Sequence, residues 1–176
     1  NILCVDKKNS YEDDEIIIST LDLDHSSPCI GYSFYVPRRP KFLPEKAIEY
    51  GIPKEKWSIL QSGKLITYKD NVYRPSQVLG KERRGIKLSF ITDTRPIDEI
   101  VGFVEESNLF VCEGTYGDSG DIEKAIGNKH MTFEEAAELA FKGKADKLLL
   151  THFSPAIKEP NMYIKNAKTI FENTII

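Results

Sequence analysis

Residues 86–96 read Ile-Lys-Leu-Ser-Phe-Ile-Thr-Asp-Thr-Arg-Pro, an apolar run that ends in a carboxylate and stops at a proline. Apolar side chains at Ile86, Leu88, Phe90 and Ile91 predict a strand in a sheet interior, and Pro96 marks a helix start just beyond it. An aspartate at the carboxyl end of such a strand lies where open α/β sheets place ligand groups. Asp93 is therefore the candidate chemical centre of the chain. The simpler alternative is that it caps the helix beginning near Pro96.

Elements on either side follow from periodicity. Residues 2–5 and 15–23 are β-like around an acidic turn at 11–14, and together they predict a hairpin. A break at 24–28 leaves His25 in a loop, and residues 31–36 resume as an alternating strand. From 37 to 63 the texture changes to prolines, lysines and one short helical piece at 45–50, which predicts an excursion from the sheet. A small hairpin at 64–68 and 72–74 leads back through 80–85. After Asp93 come a helix at 97–105, a strand at 109–113, a Gly-rich loop, a helix at 132–142, a strand at 147–151 and a last helix at 161–172. That alternation is α/β architecture. Phe133, Ala136, Ala137 and Ala140 share one helical face, and Thr132 with Glu135 forms a capping box.

The 176 residues, 40% hydrophobic and 29% charged, suit a single soluble domain with a real core. A formal charge of −3 excludes an overall basic coat but leaves room for basic patches at 38–41 and 81–87. Cys4, Cys29 and Cys112 are odd in number and lack Cys-x-x-Cys spacing, which points away from a disulfide framework and toward a reducing cytoplasm. No apolar run approaches the roughly 18 residues of a membrane span.

Three histidines stand at the ends of predicted elements: His25 after a strand, His130 before a helix, His152 at the end of a strand. With Asp93 at another strand end, they are placed to converge on one edge of the sheet. Imidazole nitrogen and carboxylate oxygen are suitable zinc ligands. Each residue taken singly also fits an ordinary hydrogen-bonded role.

Taken in order, Asp24-His25-Ser26-Ser27-Pro28, Thr92-Asp93-Thr94-Arg95-Pro96, Cys112-Glu113-Gly114-Thr115, His130-Met131-Thr132 and Thr151-His152-Phe153-Ser154-Pro155 resemble the later motifs of ribonuclease Z. Gly51-Ile52-Pro53 and Val78-Leu79-Gly80 also resemble that family. The resemblance implies a metallo-β-lactamase-like αββα sandwich and a zinc-dependent endonuclease that removes the 3′ trailer of precursor tRNA. It implies two zinc ions, with His25 on one, His152 on the other and Asp93 bridging them. His130 would be the general acid, and Glu113 a carboxylate that orients it. Residues 37–63 would be a projecting arm, in which Arg38, Arg39, Lys41, Lys46, Lys54 and Lys56 meet RNA phosphates and Trp57 packs or stacks.

Departures from the pattern set further expectations. The family's His-x-His-x-Asp-His motif is absent from these residues, so the chain is expected to be a C-terminal portion that binds zinc weakly and acts only when completed. Cys112 stands where the family has His, Met131 where it has Ser, and Ala156 where it often has Arg. A partial sandwich should expose an apolar sheet face and self-associate, as a homodimer for example. Two other functions stay open: a non-catalytic RNA-binding or assembly fragment, and a phosphodiesterase acting on a small molecule.

Overall fold

The computed structural model describes Tyr11, Glu12 and residues 15–176, so the expected strand at 2–5 lies outside the described residues. The chain runs β1 (Tyr11–Glu12), β2 (Ile17–Leu23), β3 (Cys29–Arg38), α1 (Pro44–Glu49), α2 (Trp57–Gln61), β4 (Ile66–Tyr68) and β5 (Asn71–Tyr73). It continues through β6 (Arg83–Ile91), α3 (Glu99–Phe103), β7 (Leu109–Glu113), α4 (Ile122–Asn128), α5 (Phe133–Lys142), β8 (Leu148–Thr151), α6 (Ile164–Lys168) and β9 (Thr174–Ile175). Two compact units result: Arg38–Arg84 forms one, and the described residues up to Pro37 with Gly85–Ile176 form the other.

The larger unit is one seven-stranded sheet in the order β1-β2-β3-β6-β7-β8-β9. Its first three strands pair antiparallel, and β6 to β9 pair parallel, joined by the helices that parallel connections require. Register places Ile91 beside Cys112 and Cys112 beside Leu150, while Phe110 lies beside Leu148. These side chains form one wall of the core. Ile100 and Val104 from α3, Phe133, Ala136, Ala137 and Ala140 from α5, and Ala167 from α6 form the other. The alanines let α5 approach closely, as its apolar stripe predicts, and the Thr132–Glu135 capping box is present at its start.

The apolar face of β6 differs from expectation. Ile91 is fully buried, but Ile86 and Phe90 are 50% and 40% exposed, because alternate residues of a strand face opposite ways. Gly85, Ser89 and Ile91 face the helices, while Ile86, Leu88 and Phe90 face away. Tyr32 and Val36 of β3 are also exposed, and Tyr32 stacks on Phe34 with ring centroids 6.2 Å apart. An apolar sheet face of this kind favours association. Sedimentation velocity at micromolar concentration is expected to show dimers or larger species, and Phe90→Lys with Ile86→Lys should return the chain to monomer. A monodisperse wild-type monomer would count against the inference.

Other differences are local. Tyr11 and Glu12 are not a turn but pair with Ile18 and Ile17. The helix after Asp93 begins only at Glu99, so Asp93 does not cap it. The last helix is five residues long, bounded by a short 3-10 turn at Pro160–Met162. The Gly-rich loop contains α4, whose start is prepared by Asp118 accepting a hydrogen bond from Gly120 N.

The smaller unit has its own core of Ala47, Ile52, Leu60, Ile66 and Val78, with Phe42, Trp57 and Tyr73 packed against it. It takes in the β4–β5 hairpin as well as the excursion at 37–63. Trp57 donates its indole N–H to the Ile52 carbonyl at 2.9 Å and lies 5.2 Å from the Phe42 ring, so it packs. Arg38, Arg39, Lys41, Lys46 and Lys54 are exposed, and Lys56 is half-buried. Lys54 sits over the Trp57 ring at 6.0 Å.

Candidate metal centre

Parallel strands deliver their carboxyl ends to one side of a sheet, and three site residues arrive that way. Asp93 follows β6, Glu113 ends β7, and His152 follows β8. Asp93 and His152 both adopt left-handed backbone, at φ 44 and 56, as does Lys129 at φ 57 just before His130. A non-glycine residue held there carries strain of about 1–3 kcal/mol, and such residues cluster at functional sites.

Backbone contacts lock these segments together. Asp24 and Arg95 form an isolated bridge, with Arg95 N donating to the Asp24 carbonyl at 3.0 Å and Asp24 N donating to Thr94 Oγ1 at 3.0 Å. Arg95 Nη1 donates to the His130 carbonyl at 2.5 Å and to Glu135 Oε2 at 2.9 Å, and its other nitrogen pairs with Glu135 Oε1. A single guanidinium therefore ties the loop after β6 to the start of α5. Lys129 Nζ reaches Asp24 Oδ1 at 2.7 Å.

Glu113 is the buried hub. Its side chain is fully buried and accepts four bonds: from Thr94 N at 2.6 Å, Thr115 Oγ1 at 2.6 Å, Met131 N at 3.1 Å and His130 Nδ1 at 3.0 Å. A carboxylate only accepts, so His130 donates through Nδ1–H, and in the neutral ring its Nε2 carries the lone pair. The same reasoning applies to His152. Thr115 gives its hydroxyl proton to Glu113 at 2.6 Å, so it accepts from His152 Nδ1–H at 3.1 Å, which in the neutral ring leaves the lone pair on Nε2.

That nitrogen lies 2.8 Å from Asp93 Oδ1, an ion-pair distance. Yet Oδ1 is buried and without a hydrogen-bond partner among the described residues. Burying a carboxylate oxygen unpaired is costly, and a lone-pair nitrogen facing it fits two ligands of one cation better than a finished hydrogen bond. Asp93, His130 and His152 each offer a ligand atom, and these atoms all lie within 4.8 Å of one another. His25 falls outside that trio. Its Nδ1 lies 3.1 Å from the Lys129 carbonyl, and its ring is 4.9 Å from that of His130. All three histidines line a cavity of about 550 Å³ with Ser26, Thr115 and Tyr116.

The sequence reading did not assign roles to Thr94, Arg95, Thr115 or Lys129. Arg95 and Thr115 lie inside the motifs named above, but Glu135 is 40 residues from Arg95 and His152 is 37 from Thr115, separations that leave no local signal.

Cys112 is fully buried on β7, with Sγ 3.7 Å from Met131 Sδ. Burial first, and the Glu113 charge second, push its thiol well above the ordinary range. Burial and the Asp93 charge push Cys29 up as well. A protonated thiol is a poor nucleophile. Native Cys112 is therefore expected to resist a thiol reagent at pH 8 and to react only after denaturation, as peptide mass spectrometry can resolve; rapid native labelling would contradict its burial.

The architecture matches solved proteins of one fold. The metallo-β-lactamase fold protein YhfI from Bacillus subtilis superposes with a TM-score of 0.59 at 17% identity, over 98% of this chain and 50% of that one. Human tRNase Z, short form, superposes at 0.51 with 21% identity, over 84% of this chain and 40% of that one. No protein-family model matches the chain. It has the metallo-β-lactamase fold in part.

Sequence relatives narrow this further. A protein named Ribonuclease Z from Alkaliphilus oremlandii is 62% identical over 163 residues, which is 93% of this chain and 51% of that protein. Another from Clostridium novyi is 56% identical over 92% of this chain and 52% of its own length. The chain is a homologue of ribonuclease Z and spans about half the length of the curated relatives it matches. Among the described residues, no helix is long and apolar enough to cross a membrane.

Proposed function

We propose that this chain supplies part of the metal site of a zinc-dependent, cytoplasmic endoribonuclease that cleaves the 3′ trailer from precursor tRNA. The observation that carries the reading is the approach of His152 Nε2 to the buried Asp93 Oδ1, which has no hydrogen-bond partner among the described residues. Asp93 and His152 would hold the ion, and His25 would serve a second one. Zinc bound there supplies an activated water and positive charge beside a phosphodiester. Glu113 fixes the His130 ring so that Nε2 faces the cavity, from which a protonated His130 gives its proton to the leaving oxygen. The cationic side chains Arg38, Arg39, Lys41, Lys46 and Lys54 of the smaller unit would meet RNA phosphates, with Lys56 at their edge.

A second reading of His130 is favoured by the 4.8 Å grouping: it is a third ligand. Zinc titration of the chain by calorimetry separates the two. Binding is expected to be weak, because Asp93 with either His25 or His152 gives each ion two protein ligands where catalytic zinc usually has three. Asp93→Asn and His152→Ala should abolish it, whereas His130→Ala should leave it intact. Loss of binding in His130→Ala makes that residue a ligand. Binding that survives Asp93→Asn would remove the proposed centre and favour a metal-free RNA-binding role.

A further inference from the structure

Beside the metal-site cavity lies a second pocket of about 280 Å³, and Tyr116 and Ser154 line both. Tyr163, Ile157 and Ala156 form its apolar side. The Tyr163 ring lies so close to Gly117 that a β-carbon there would come within 2.5 Å of it, so glycine lets the ring settle against the backbone. Asn166 Nδ2 holds the Gly117 carbonyl at 2.8 Å, and Asn128 Nδ2 holds the Tyr116 hydroxyl at 2.7 Å. The Tyr116 ring is thereby held at its hydroxyl, and the Gly117 backbone against which Tyr163 lies is held at its carbonyl. At the pocket edge Lys124 and Asp121 pair at 2.6 Å, offering one donor group and one acceptor group side by side.

A preformed recess with an aromatic side and a donor–acceptor edge suits a planar heterocycle, which stacks by its face and is read by its rim. Its position, sharing a wall with a cavity lined by His130 and His152, suits one attached to a phosphodiester. We propose that this pocket receives the base of a nucleotide adjoining the phosphodiester engaged at the Asp93–His130–His152 centre. The proposal rests on the nuclease reading above and names where its substrate's flanking base goes.

The test titrates the 176-residue chain with uridine 5′-monophosphate and with ribose 5-phosphate, which has the same sugar and phosphate but no base. The nucleotide is expected to bind at least about tenfold tighter, a difference of some 1.4 kcal/mol. Ala156→Trp, which fills the pocket from an exposed loop position, should erase that difference and leave ribose 5-phosphate binding unchanged. Equal binding of the two compounds by the wild-type chain, or a preference that survives Ala156→Trp, overturns the proposal. Should that variant misfold, nuclear magnetic resonance of the wild-type chain decides. Tyr163 and Ile157 signals must shift with the nucleotide and not with ribose 5-phosphate, and if they do not, the pocket is not a base site. Zinc titration of the same samples reads the metal centre separately. Zinc binding that requires Asp93, without a base preference, overturns the pocket alone; a base preference without zinc binding supports the pocket and removes the centre.

Discussion

Glu113→Ala is expected to lower the stability of the chain by about 3–5 kcal/mol, the cost of stripping a buried charged partner from the groups that depend on it. The side chain is fully buried, and its loss leaves Thr94 N, Met131 N, the Thr115 hydroxyl and His130 Nδ1 without their acceptor. Each buried unsatisfied group costs roughly 1–3 kcal/mol, and water entering the vacated space recovers part of the sum. Domains are stable by only about 5–15 kcal/mol, so the variant should sit near the edge of folding. Glu113→Gln should fall between it and the wild type, because one amide oxygen still accepts while the new NH₂ faces donors. Urea denaturation followed by circular dichroism measures both. A loss under about 1 kcal/mol for the alanine variant would mean that the hub is dispensable to the fold.

His130→Ala carries the largest expected effect on chemistry. A general acid contributes typically 10²–10⁴-fold, so in an enzyme reconstituted from this chain and the complementary half of a ribonuclease Z relative, single-turnover cleavage should slow by about that factor. Zinc content, measured by elemental analysis, should not change. His152→Ala should lose both zinc and cleavage, since its Nε2 lies against Asp93. A His130→Ala enzyme that keeps full rate would reduce His130 to a residue near a helix start. The chain alone should cleave precursor tRNA negligibly.

Much of this arrangement was legible in the sequence, and its gaps have physical causes. The alternation after Asp93 could be read because β7, β8 and α5 carry strong local signals: apolar runs, a capping box and an alanine-rich stripe. Asp93, His130 and His152 were legible as residues at element ends, and the structure brings them together. Glu113 was expected, from the family resemblance, as a carboxylate that orients His130, and not as the acceptor of three further bonds. Three of its four partners, from residues 94, 130 and 131, lie 17 to 19 residues away, and no periodicity announces contacts at such separations. α4 escaped because only Ala125 of its seven residues is buried, which leaves almost no stripe to detect. β6 was misread on one point. Its helix-facing side is built from Gly85, Ser89 and Ile91, so the more apolar side of the strand is the one that faces away.

The carboxylate of Glu135 performs two tasks at one place. It closes the first turn of α5 by accepting from Thr132 N at 2.9 Å, and it grips the Arg95 guanidinium that also holds the His130 carbonyl. Helix ends fray far more often than whole domains unfold. When this end opens, Arg95 loses its Glu135 partner and its hold on the His130 carbonyl weakens, although His130 N still donates to the Ala125 carbonyl and its ring to Glu113. One carboxylate thus couples a helix start to the centre through a single contact, the His130 carbonyl, while the rings of His130 and His152 are held separately by Glu113 and Thr115.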